Sequence, residues 1–273
     1  VGTLPDTNRP AAESGPLLLR RLLPSGEPSC AEEIVEGLDL RRRAAAHAHR
    51  PYLVLNMVST ADGRATVGGR SGPIGNRADR ELFHGLRGVV DAVMAGAGTV
   101  RTERYGRIVP DEARRRVRSA RGLSEEPLAC IVSGHLELSG DIPLLADPAA
   151  RVAIVTSSAA SLTEHAAHVD YVRASHDGLL DLPAALAELR TRFAVRTLLC
   201  EGGPHLNAQL LAASLVDELF LCLSPRLAGG DPVAGEALRI VAGVELDPLV
   251  ELKLLGVLES DSHLFLRYGL APR

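Results

Sequence analysis

The chain contains no tryptophan, only two methionines, and aromatic residues make up 3% of it. Proteins that read single-stranded nucleic acid stack bases on aromatic side chains, so that class is disfavoured. No charge of one sign dominates. Thirty Lys and Arg oppose thirty-four Asp and Glu, a net charge of −4, and no global field draws a polyanion. No apolar run approaches the roughly 20 residues that span a bilayer. The start of the chain lacks a charged segment followed by an apolar core and a small-residue cleavage site, so it does not read as a secretory signal. The four cysteines, Cys30, Cys130, Cys200 and Cys222, share no CxxC spacing, and three lie in apolar runs. Reduced thiols in a cytoplasmic protein are expected, and a zinc site is not. None of the nine histidines falls in an HExxH, and no serine sits in a GxSxG elbow, so metal-assisted and nucleophilic hydrolysis lack support.

What the chain does have is 46% apolar residues over 273 positions, enough for a substantial core. Residues 1–16 mix Pro, Gly, Asn and Ser and read as a poorly ordered tail. Leu17–Leu23 reads as an edge strand, Pro24-Ser-Gly as a turn, and Ser29 to Leu40 as one helix capped by Ser29. The triplets Arg41–Arg43 and Arg114–Arg116 read as solvated helix faces. Tyr52–Val58 is nearly all apolar and predicts a strand buried on both faces. It runs into Ser59-Thr-Ala-Asp-Gly-Arg64, where turn chemistry accounts for Asp62-Gly63. Asn76 is placed to cap a helix ending near Arg87. Val89–Ala95, Leu128–Val132, Ala153–Val155, Val169–Val172, 197–200 and 217–223 read as further strands. Helices are predicted near Thr99 and over 111–121, 182–193 and 205–213. Residues 226–248 read as irregular. Glu251–Leu258 and His263–Tyr268 read as a terminal hairpin that adds an antiparallel edge.

Alternating strands and helices predict an α/β fold: three layers, α-β-α, around a mostly parallel sheet with a C-terminal antiparallel hairpin. No internal repeat is present, and no linker after residue 50 divides the chain. Residues 1–50 therefore read as a tail, edge strand and helix packed on one domain over 51–273.

Two stretches carry the candidate chemistry. In Leu198-Leu-Cys-Glu-Gly-Gly-Pro-His205, an apolar strand ends in Glu201, two glycines follow, and Pro204 suits the first helical position. In Ala95-Gly-Ala-Gly-Thr99, a second strand meets a second glycine turn before a helix. The N–H groups at such helix starts can hold phosphate. Two such turns on one sheet could grip the two halves of a dinucleotide. Neither is the GxGxxG fingerprint, so a simple Rossmann dehydrogenase is disfavoured. Read alone, Thr99 is equally a helix cap and Arg87 a C-terminal helix charge. Glu201, closing an apolar strand, needs a donor.

Together with Leu55-Asn-Met-Val-Ser-Thr-Ala-Asp-Gly-Arg64, Leu86-Arg87, Asp91 to Val100, Glu201 to Pro204, Leu215 to Leu219, Ser224-Pro225 and Gly229-Gly230, these stretches resemble the reductase domain of the riboflavin-biosynthesis deaminase/reductase family. The resemblance runs from about Pro51 to Tyr268. It implies a dihydrofolate-reductase-like fold, a cytoplasmic homodimer paired through the sheet edge, and NADPH-dependent reduction of 5-amino-6-(5-phosphoribosylamino)uracil to its ribityl product. It implies that Val58, Pro73, Gly96, Gly98, Thr99, Glu103, Ser133, and Gly202, Gly203, Pro204, His205 and Leu206 on through Gln209 line the NADPH site. Ser71, Arg87 and Glu201 would face the substrate, Arg87 as a bidentate anion ligand, with Glu201 or water the best guess for the proton donor. No PCxxC half of a zinc-deaminase signature is present, which excludes deamination. The chain departs from the family where Asn56 replaces a usual lysine and where Pro110 falls near a usual phosphate-binding arginine. Arg104 or Arg107 is a candidate replacement. Reduction of a dihydropterin or dihydrofolate on the same fold is the alternative, and NADPH binding without catalysis a third reading.

Overall fold

The computed structural model describes residues 17–230 and 238–271; the tail expected over 1–16 lies outside them. In chain order the elements are strands β1 (Leu18–Leu23) and β2 (Ser25–Cys30), helices α1 (Ala31–Glu36) and α2 (Leu40–Ala44), β3 (Tyr52–Thr60), α3 (Arg77–Arg87), β4 (Ala92–Gly96), α4 (Ala97–Thr102), α5 (Glu112–Ala120), β5 (Leu128–Val132), α6 (Pro143–Ala146), β6 (Arg151–Thr156) and β7 (His168–Arg173). Then follow β8 (Ser175–His176), β9 (Leu179–Leu180), α7 (Leu182–Arg192), β10 (Thr197–Cys200), α8 (Pro204–Ala212), β11 (Glu218–Ser224), β12 (Leu252–Ser260) and β13 (His263–Leu270).

Eleven strands form one sheet in the order β2-β1-β12-β13-β11-β3-β10-β4-β5-β6-β7. The run from β11 to β7 is parallel, and the other four pairings are antiparallel. Helices cover both faces. Because strand side chains alternate, β3 sends Tyr52 and Val54 into a core shared with Val35, Leu40, Leu86 and Val100 of α1 to α4. It sends Leu53 and Leu55 into a second core with Leu186 and Leu189 of α7 and Leu210 of α8. This alternation over buried strands gives the near-continuous apolar run seen in the sequence.

Three expectations are corrected. The terminal hairpin β12–β13 lies inside the sheet, between β1 and β11. Nor is β1 an edge strand, because β2 pairs outside it. The helix expected from Ser29 to Leu40 is two helices. Cys30 takes the cap position of α1, and Asp39, at φ 49°, breaks the chain before α2. The Asn76 cap is as expected, its side chain accepting from the Asp79 N–H.

Candidate functional site

The strands β3, β4, β5 and β10 run parallel, so their carboxyl ends open on one side of the sheet, where such sheets place ligands. A cleft of about 570 Å³ lies there. Its middle is formed by the two glycine turns. Gly96, Ala97, Gly98 and Thr99 lead into α4, and Gly203 to Leu206 lead into α8. The Gly96 N–H donates to the Gly202 carbonyl at 2.7 Å, which ties the turns together. The Gly202–Gly203 peptide is cis, and Gly202 has φ +83°, a conformation glycine adopts without a Cβ penalty. A Cβ on Gly203 would sit 2.8 Å from Thr99 Oγ1, and one on Gly98 would meet no atom within 4 Å. The first turns of α4 and α8 leave N–H groups without intrahelical partners. A cradle bare of side chains, edged by helix starts, fits a dinucleotide pyrophosphate.

One end of the cleft holds Met57, Ala65, Ser71, Glu103, Glu201 and Leu238. The Ser71 N–H and hydroxyl both donate to Glu103 Oε1, at 2.9 and 3.0 Å. Glu201 accepts from Arg87 Nε at 2.6 Å and Nη2 at 2.7 Å, and from the Tyr105 hydroxyl at 2.5 Å. Arg87 Nη1 donates to the Ile108 carbonyl, and the guanidinium lies 4.2 Å from the Phe83 ring centre. Burial works against the charge on Arg87, but Glu201 outweighs it and the net shift is upward. The Tyr105 phenol is pushed well above its usual range, by burial first and then by the charge of Glu201. It stays protonated and donates. The pair is fixed from behind by Arg118, which is fully buried. Arg118 donates to the carbonyls of Arg87 at 2.7 Å and Val90 at 2.9 Å, closing the end of α3.

The structure therefore brings together Ser71, Gly96, Gly98, Thr99, Glu103, Ser133, Glu201, Gly203, Pro204, His205, Leu206 and Gln209 around one cleft, with Gly202 behind Gly96. The Arg87 fork, expected to face the substrate, is taken up by Glu201, and its Nη1 by the Ile108 carbonyl. Glu201 in turn accepts on both oxygens, which argues against the proton-donor role. Val58 packs on the opposite face of the sheet, beside Cys222 and Phe265, and Met57 lines the cleft instead. Pro73 lies outside the lining, its carbonyl accepting from Arg226. Arg104 and Arg107 pair with Asp141 and with Glu126 and Asp147. Asp62 serves the turn, as expected. It accepts from Thr60 and from the N–H groups of Ala228 and Gly229, which together lower its pKa to about 2. Sequence reasoning missed Met57, Arg101, Tyr105 and His135. Strand parity could have found Met57, which shares a face with Leu53 and Leu55; nothing local marked the others.

Residues 51–266 match the RibD C-terminal domain family. The chain belongs to that family. Among similar proteins, the 2,5-diamino-6-ribosylamino-4(3H)-pyrimidinone 5′-phosphate reductase of Methanothermobacter thermautotrophicus is 30% identical over 207 residues, covering 74% of this chain and 88% of that one. The enzyme of the same name from Kluyveromyces marxianus is 26% identical over 236 residues, covering 78% and 83%. Among solved structures, a pyrimidine reductase-like protein from Corynebacterium diphtheriae superposes with a TM-score of 0.72 at 24% identity, over 89% of this chain and 99% of that one. The riboflavin biosynthesis reductase Rib7 of Saccharomyces cerevisiae gives 0.62 at 19% identity, over 88% and 100%. The fold is thus that of these reductases, and the chain is an oxidoreductase of the pyrimidine reductase family. Among the described residues no helix is long and apolar enough to cross a membrane.

Proposed function

We propose that this protein is an NADPH-dependent reductase that converts 5-amino-6-(5-phosphoribosylamino)uracil, or its 2-amino counterpart before deamination, to the ribityl product. The observation that carries this is the tied pair of glycine turns opening beside the Arg87–Glu201–Tyr105 cluster in one cleft. Ala97, Gly98 and Thr99, with Gly203, His205 and Leu206, would hold the pyrophosphate through backbone N–H groups. When bound, the reduced nicotinamide supplies the hydride. Met57 and Leu238 give that end of the cleft an apolar wall that excludes water. Glu201, fixed by two forked hydrogen bonds and a phenol, accepts N–H or O–H groups of the substrate and sets its distance from the hydride donor. Ser71, oriented by Glu103, is a second polar contact. The proton that completes the reduction comes from water.

A specific observation favours the alternative, reduction of a dihydropterin or dihydrofolate. Among the described residues no Arg or Lys lines the substrate end, which offers carboxylates and a hydroxyl that suit N–H donors better than a phosphate. Incubation with NADPH and each substrate, followed by cofactor oxidation and product mass, separates the readings. Ribityl product only from the phosphoribosyl pyrimidine supports the first. Turnover of dihydrofolate alone overturns it. Binding of NADPH with neither consumed indicates a protein without catalysis.

We also propose a homodimer in the cytoplasm. Leu18 and Leu22 of β1 and Leu254 of β12 are 42–51% exposed. They lie on one face of the sheet, while Leu19 between them is buried on the other. This apolar face, rather than the sheet edge, suits a second copy.

A further inference from the structure

The cleft has a second end, which the chemistry above does not use. Beyond the glycine turns it is lined by Val132, Ser133, Gly134, His135, Glu137 and Arg101. Arg101 is the only Arg or Lys lining the cleft among the described residues. It projects from α4, the helix that starts at one glycine turn, and its Nη1 donates to the Glu137 carbonyl. The Glu137 carboxylate lies 3.9 Å from the same Nη1, and the two side chains are 45% and 73% exposed. A pair so open to water is worth little, and a stronger anion can displace its carboxylate.

Where the pyrophosphate rests between the turns and the nicotinamide turns toward Glu201, the adenosine half must run toward Ser133 and Arg101. The adenosine ribose is where NADPH carries the extra phosphate that NADH lacks. We propose that Arg101 is the residue that distinguishes NADPH from NADH, by binding the 2′-phosphate, and that Glu137 limits this preference by competing for the same guanidinium. This assignment rests on the NADPH reading given under the proposed function. A guanidinium meets a phosphate with parallel N–H donors, whereas the ribose 2′-hydroxyl of NADH gives it no charge to meet. The Arg101 side chain is half-exposed on a short helix, so its truncation leaves both cores untouched.

The test is calorimetric titration of the purified protein with NADPH, NADH and 2′,5′-ADP, for the wild type, Arg101→Ala and Glu137→Gln. Arg101→Ala is expected to raise the Kd for NADPH and for 2′,5′-ADP roughly ten-fold or more, the scale of one charge-assisted hydrogen bond. The Kd for NADH is expected to stay within about two-fold. Glu137→Gln is expected to tighten NADPH and leave NADH unchanged. Equal rises for NADPH and NADH in Arg101→Ala, or no change in either, overturn the assignment while leaving the NADPH reading intact. A wild type that binds NADPH and NADH equally overturns the NADPH reading itself, and the role of Arg101 with it.

Discussion

Arg87 and Glu201 are joined by two parallel hydrogen bonds of 2.6 and 2.7 Å, one element apart from the cleft that Glu201 alone reaches. The two residues are 114 positions apart in the chain and meet only because α3 packs beside the end of β10. Both are buried, so neither can lose the other cheaply. Removing one partner of a buried pair typically costs about 3–5 kcal/mol, because the remaining charge is left uncompensated.

Arg87→Ala is therefore expected to lower stability by about that amount and to abolish turnover, while NADPH binding persists in the folded fraction. Denaturant unfolding and cofactor titration check both parts. Full activity in Arg87→Ala would show that Glu201 needs no partner.

At Gly203 the size of the side chain and its charge separate. Gly203→Ala places a methyl 2.8 Å from Thr99 Oγ1, a rotatable hydroxyl that can move aside. A loss of only a few-fold in NADPH affinity is expected, on the order of 1 kcal/mol. Gly203→Asp sets a carboxylate against the pyrophosphate, and titration is expected to detect no NADPH binding. Equal, small effects from both variants would remove the turn from the phosphate site.

Much of this was legible in the sequence. The strand–glycine–helix units at Gly96 and Gly202 follow from local chemistry, since Pro204 and the glycines suit few other conformations. Asn76 as a cap is local in the same sense. What was not legible is long-range. Nothing in Leu86-Arg87 tells that the guanidinium will be spent on a carboxylate 114 residues later. Tyr105 reads as one more residue in a loop until that loop folds over Glu201. The hairpin β12–β13 carries the same pattern at an edge as inside a sheet, and only β1, which returns to pair with β12, decides the matter.

A half-buried acid on the far side of the sheet, Asp79, gives a pH signature. Burial raises the pKa of Asp79, and hydrogen bonding from Cys222 and the nearby His263 only partly offset this. The folded state thus holds this proton to higher pH than the unfolded chain, whose carboxyl titrates near 3.8. Stability from this group is present below that value and is lost as pH rises through the folded pKa. Asp79→Asn is expected to be more stable than the wild type at neutral pH, with the difference vanishing in acid. Thermal unfolding across the range checks this; a constant difference at every pH contradicts it.

The exposed apolar face predicts the assembly state. Leu254→Glu, on that face, is expected to convert a dimer to a monomer with the fold intact, as read by sedimentation and circular dichroism. A wild type that sediments as a monomer contradicts the proposal.

The most direct test of the whole account is a crystal structure with NADPH bound. The pyrophosphate is expected between Gly96 to Thr99 and Gly203 to Leu206, with the nicotinamide toward Met57 and Glu201. A coenzyme bound elsewhere, or lying in the cleft without contact to either glycine turn, would contradict it.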